Sequence, residues 1–93
     1  MARSLNNLSN SLADLDRREE ALAAVEEATR IFRILAVIRP GGFLSALADS
    51  LHNQSLRLTA LGRQEDALWA MAESTRVRHL LMRERPDEQG PTA

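Results

Sequence analysis

The 93-residue sequence contains no cysteine and no lysine. Without cysteine there are no disulfides and no thiolate metal sites. Every basic side chain other than histidine is therefore arginine. The Arg/Ala/Leu-rich, lysine-free bias reads as a GC-rich bacterial coding style and carries no functional information. Aromatic residues make up 3% of the chain, too few to stack the bases of a nucleic acid. No apolar run approaches the roughly 20 residues of a membrane span; the longest candidate, "ILAVI" from Ile34 to Ile38, is far shorter. The start of the chain lacks the basic segment, apolar stretch and cleavage site of a signal peptide. Neither sign of charge dominates, since the formal net charge is -1. That balance argues against strong phosphate-driven binding, although a local basic patch remains compatible with it. What is present is a 44% hydrophobic chain of modest length. It fits one small cytoplasmic domain with a limited core, and no membrane partner.

Helical periodicity organises the rest. Leu5, Leu8, Leu12 and Leu15 recur at steps of three and four and draw one apolar stripe. A second helix is predicted from Arg18 to Ile38, with Ala21, Leu22, Val25, Ala28, Phe32 and Leu35 along one side, and "PGG" at Pro40–Gly42 reads as its stop. A third is predicted from Phe43 to Leu61, closed by Gly62, and a fourth from Gln64 to about Arg83. Residues 84–93 have no apolar period and read as a flexible tail.

The chain also matches itself. At a step of 46 residues, from Ala2 to Ala48, Ser4 falls on Ser50, Leu5 on Leu51 and Ser9 on Ser55. Arg17 then meets Arg63, Ala21-Leu22 meets Ala67-Leu68, Thr29-Arg30 meets Thr75-Arg76, and Arg39-Pro40 meets Arg85-Pro86. Chance amphipathicity repeats leucines, but it does not repeat Thr-Arg and Arg-Pro in register. The fold class expected is all-α, with two copies of one helical hairpin over residues 2–40 and 43–83 inside a single domain, residues 1–83.

These residues resemble the tetratricopeptide repeat. "DRREEALAAVEEA" and "GRQEDALWAMAES" look like its turn and second helix, with Ala21 and Ala67 at the small crossing position and Ser9 and Ser55 at the small position of the first helix. Gly62 matches the family's inter-helix turn, and Asp16 departs from it. "LNNLS", Leu5 to Ser9, is similar to the long kinesin-light-chain variety, as found in tandem arrays of actinobacterial signalling proteins. The resemblance implies a short right-handed solenoid whose first helices line a concave groove for a protein or peptide ligand. On that pattern the groove residues are Asn6, Asn10, Asp14, Asp49, His52, Asn53 and Leu56, with Arg3, Ala13 and Thr59 beside them. An asparagine offers both a donor and an acceptor, so it can pair with a peptide backbone whatever its sequence. The same amides can instead be solvated, or can bond the next repeat's helix and fix the stacking. The family's lysine-based carboxylate grip has no counterpart here.

Other chemistry finds little support. His52 and His79 lie in different repeats without a third ligand at metal spacing. The carboxylates interleave with arginines as on a solvated face. There is no phosphate loop and no nucleophile elbow. No enzyme activity, cofactor or metal is expected. Arg76, His79 and Arg83 share a face of the last helix, where a solvated helix end explains them better than nucleic acid does. Trp69 stands where the first repeat has Ala23 and is expected in the core, with a contact patch as the alternative. "IFRILAVI", Ile31 to Ile38, is apolar nearly all round and expects burial on every side. Ile31, Ile34, Val37 and Ile38 are thus candidates for self-association as a homodimer. Two repeats are fewer than the roughly three that a solenoid needs, and the lead-in "FLSALA" before the second copy is missing from the first. The expectation is either the end of a longer array or two chains that complete each other.

Overall fold

A computed structural model describes residues 2–84. They form four α-helices: α1 (Ala2–Asp14), α2 (Arg18–Ile38), α3 (Pro40–Ala60) and α4 (Gln64–Glu84). The fold is all-α, and no described residue is in a strand. The tail expected over residues 84–93 lies outside the described residues except for Glu84, which ends α4, and so does the Arg85-Pro86 part of the repeat match. Each helix packs antiparallel on its neighbours in sequence, while α1 and α3 meet only along a narrow edge.

The turns explain the antiparallel path. After α1, Arg17 N–H reaches Leu12 C=O at 2.8 Å and Asp16 N–H reaches Ala13 C=O at 3.0 Å. After α3, Arg63 N–H reaches Leu58 C=O at 2.9 Å and Gly62 N–H reaches Thr59 C=O at 3.0 Å. Both are Schellman closures, in which a left-handed residue folds the chain back onto the last carbonyls. That residue is Gly62 at φ 77° in the second turn and Asp16 at φ 64° in the first. Asp16 thus takes the conformation that glycine adopts without cost. α2 and α4 then open with Glu19, Glu20, Glu65 and Asp66, carboxylates that favour a helix N-terminus. Arg17 grips Glu20 through two hydrogen bonds, 2.5 and 2.7 Å, and these bonds together with the carboxylate's charge raise the guanidinium's pKa.

One boundary differs from the sequence reading. α2 ends at Ile38, ahead of Pro40, as expected, but α3 begins at Pro40 itself rather than near Phe43, so Gly41 and Gly42 lie inside that helix. Proline suits the first helical position because the N–H it lacks has no intrahelical partner there. Only Arg39, extended at φ −141°, separates α2 from α3, as the residue before a proline favours.

Two apolar clusters hold the hairpins together. One joins Ala28, Phe32 and Ala36 of α2 to Leu44, Leu47, Ala48 and Leu51 of α3 and to Val77 of α4. The other joins Leu22 and Val25 to Leu58, Ala67 and Ala70. Small residues let the helices approach closely. Ser9 is fully buried and donates to Ala21 C=O at 2.7 Å, and Ser74 is buried and donates to Ala48 C=O at 2.9 Å.

Candidate functional site: the faces of the two hairpins

The expected groove residues fall into two groups. Asn6 and Asp49 meet at a depression of about 310 Å³ between α1 and α3, whose lining also includes Arg3, Phe32, Ser45 and Ala46. Asn10, Asp14, His52 and Leu56 are exposed outside it, and Asn53 is half-buried. Asp49 is engaged by Arg78 of α4 at 3.5 Å.

Asn6 has a partner inside the protein. Ser50 Oγ of α3 lies 3.3 Å from Asn6 Oδ1 and 3.1 Å from Thr29 Oγ1 of α2, and Thr29 donates to Val25 C=O at 2.8 Å. Two hydroxyl protons cannot serve three contacts. Turning the Asn6 amide, whose two ends have the same shape, presents its NH2 to Ser50, and every contact then has a proton. The chain of donors then runs Asn6, Ser50, Thr29, Val25. Ser50 and Thr29 are buried, so this seam bonds the hairpins where water cannot compete. The sequence reading aligned Ser50 with Ser4 and Thr29 with Thr75 but gave neither a role. The signal was two hydroxyl residues repeated in register.

The self-association candidates differ among themselves. Ile31 is half-buried, while Ile34, Val37 and Ile38 are 58%, 81% and 74% exposed. Phe32 and Ala36 lie in the cluster shared with α3, and Ile31 and Leu35 pack against it. The burial expected on every side of "IFRILAVI" is therefore present on one side of α2.

Trp69 corrects another expectation. It is 68% exposed rather than in the core, because its position on the outer side of α4 corresponds to that of Ala23, which is exposed on α2. It borders a cleft of about 250 Å³ that runs over α3 between α2 and α4. The Arg33–Glu73 pair crosses that cleft. Gln54 Oε1, also in its lining, is buried without a hydrogen-bond partner. Arg76, His79 and Arg83 share a face as expected, around a depression of about 430 Å³ with Val77 and Leu80. Among the described residues no three His, Asp or Glu side chains gather as metal ligands, and no helix is long and apolar enough to cross a membrane.

Similarity to known proteins adds nothing to this geometry. No family model matches the chain, and no curated protein or solved structure is significantly similar to it.

Proposed function

We propose that the chain is a non-enzymatic protein-interaction module of tetratricopeptide type. In this reading its hairpins stack as a short right-handed solenoid, and α1 and α3 present a groove to a peptide or to a partner's helix. The observation that supports it best is the depression between those helices, where Phe32 and Ala46 lie beneath the polar groups of Arg3, Asn6, Ser45 and Asp49. An apolar floor with a polar rim suits an extended peptide, which buries a side chain and pairs its backbone at the same time. Asn10 and His52, both exposed, extend the rim.

The test uses peptides selected from a random display library on the full chain. Replacing Asn10 and His52 together by alanine should weaken their affinity about tenfold, equivalent to about 1.4 kcal/mol, while helicity stays unchanged. Undiminished affinity sinks the groove.

A second reading is self-association, favoured by the exposure of Ile34, Val37 and Ile38. Covering such side chains is worth about 1.5 kcal/mol or more apiece. Two isoleucine stripes facing each other would give a closed dimer.

A further inference from the structure

The seam between the hairpins has counterparts of its two halves on exposed faces elsewhere on the molecule. Contacts that join the first hairpin to residues from Ala48 onward can be moved along by the 46-residue step from Ala2 to Ala48. Its first-hairpin side then falls on the second hairpin, and its second-hairpin side falls on the first hairpin of another copy.

The residue types survive this shift. The Thr29–Ser50 contact becomes Thr75 with Ser4 of another copy, and both residues are exposed. Asn6–Ser50 becomes His52 with the same Ser4, again a donor beside a hydroxyl. The Glu19–Arg63 pair becomes Glu65 with Arg17. Arg33–Glu73 becomes His79 with Glu27, a ring N–H donor facing a carboxylate. Leu22 and Val25, which pack with Leu58, become Leu68 and Met71 against Leu12.

Exposure follows the same logic. Leu68 is 70% exposed and Met71 38%, whereas Leu22 and Val25 at the matching points are 3% and 0% exposed. Leu8 and Leu15 are 47% and 66% exposed, whereas their counterparts Gln54 and Leu61 are half-buried. Three features do not carry over. Arg78 stands at the position of Phe32 and is engaged by Asp49; Phe43, Leu44 and Leu47, which pack with Phe32, have no described counterpart; and Arg17 already bonds Glu20.

The geometry points to a second copy of this chain as the partner, docked head to tail. The α1 face bearing Ser4, Leu8, Leu12 and Leu15 packs on the second hairpin's face bearing Leu68, Met71 and Thr75, repeating the part of the internal seam formed by Thr29, Ser50, Leu22, Val25 and Leu58. Such an interface joins two different surfaces, so it leaves one of each kind free and does not close at a dimer. This distinguishes it from the isoleucine-stripe dimer, and it does not depend on the peptide groove.

The test is sedimentation of the full chain over a range of concentrations, without peptide. The wild type should grow in mass beyond a dimer as concentration rises. Leu8→Glu with Leu15→Glu disables one face, and Leu68→Glu with Thr75→Glu disables the other. All four positions are exposed, and circular dichroism checks that each variant keeps its helicity. Each variant alone should be monomeric, and an equimolar mixture should form a heterodimer and nothing larger. Should the leucine variant lose helicity, Ser4→Glu disables the same face from one exposed position. A wild type that stays monomeric at millimolar concentration overturns the proposal, as does one that stops at a dimer. Self-association of either folded variant, or a mixture that stays monomeric, overturns it equally.

Discussion

Leu51 is 1% exposed, while Leu5, at the same point of the first hairpin, is only half-buried; Ser50 is fully buried, while Ser4 is exposed. The contrast reverses on the second helices, where Leu22 is buried and Leu68 is exposed. The same backbone, closed by the same turn hydrogen bonds, therefore has two different environments. A residue's place in the repeat sets which way it points, and the neighbouring hairpin decides whether it is covered. The two hairpins can thus serve as controls for each other.

The largest expected difference is between Leu51→Ala and Leu5→Ala. Leu51 sits inside the cluster shared by α2 and α3, so its truncation should cost about 2–5 kcal/mol through lost burial and the cavity left behind. Leu5→Ala should cost less than half as much. Urea unfolding of both variants measures the gap, and equal losses would mean that α1 is as deeply packed as α3.

Ser50→Ala should come next. It removes the central hydroxyl of the seam and leaves Asn6 and Thr29 without their shared partner, which should cost about 1–3 kcal/mol. Ser4→Ala, on an exposed face, should stay within about 0.5 kcal/mol of neutral in a monomer. Unfolding at low protein concentration makes the comparison, and a neutral Ser50→Ala would show that the seam orders the interface without stabilising it.

The smallest effect is expected at the turns. Gly62→Ala should cost about 1 kcal/mol, because a side chain is strained at φ 77°. Asp16→Gly, at the matching point, should gain about 0.5 kcal/mol by releasing the same strain. A loss instead would mean that the Asp16–Arg18 pair, at 3.0 Å, outweighs the strain. Thermal melts of the two variants decide the sign.

Much of the fold was legible in the sequence. The bounds of α2, the start of α4 and the turn at Gly62 follow from periodicity and closing residues. The self-match pairs the two turns although Asp16 stands opposite Gly62, and both make the same hydrogen bonds. The start of α3 falls three residues ahead of Phe43, because the proline that ends α2 also suits the first position of the next helix. The leucine stripe of α1 shows which residues share a face. It does not show that Leu8 and Leu15 lack a neighbour, since periodicity fixes direction and not coverage. The candidate groove was legible in part. Asn6 and Asp49 come together, and Asn6 bonds the next repeat's helix, the alternative stated for the amides; that its partner is Ser50 depends on how two hairpins meet.

Arg39 gives the molecule a mechanical character. A link of one residue holds the adjoining ends of α2 and α3 roughly 8 Å or less apart, since each peptide step spans about 3.8 Å. Two rods joined so tightly at one end cannot slide past one another; they can only swing apart, like covers on a spine. The opposite edge is held by an exposed Glu19–Arg63 pair at 3.7 Å, a contact that salt readily weakens. Opening of the hairpins should therefore start at that edge and travel inward. Leu22 and Leu58, whose cluster lies nearest it, should be uncovered before Thr29 and Ser50, and Phe32 and Leu44, beside the spine, last.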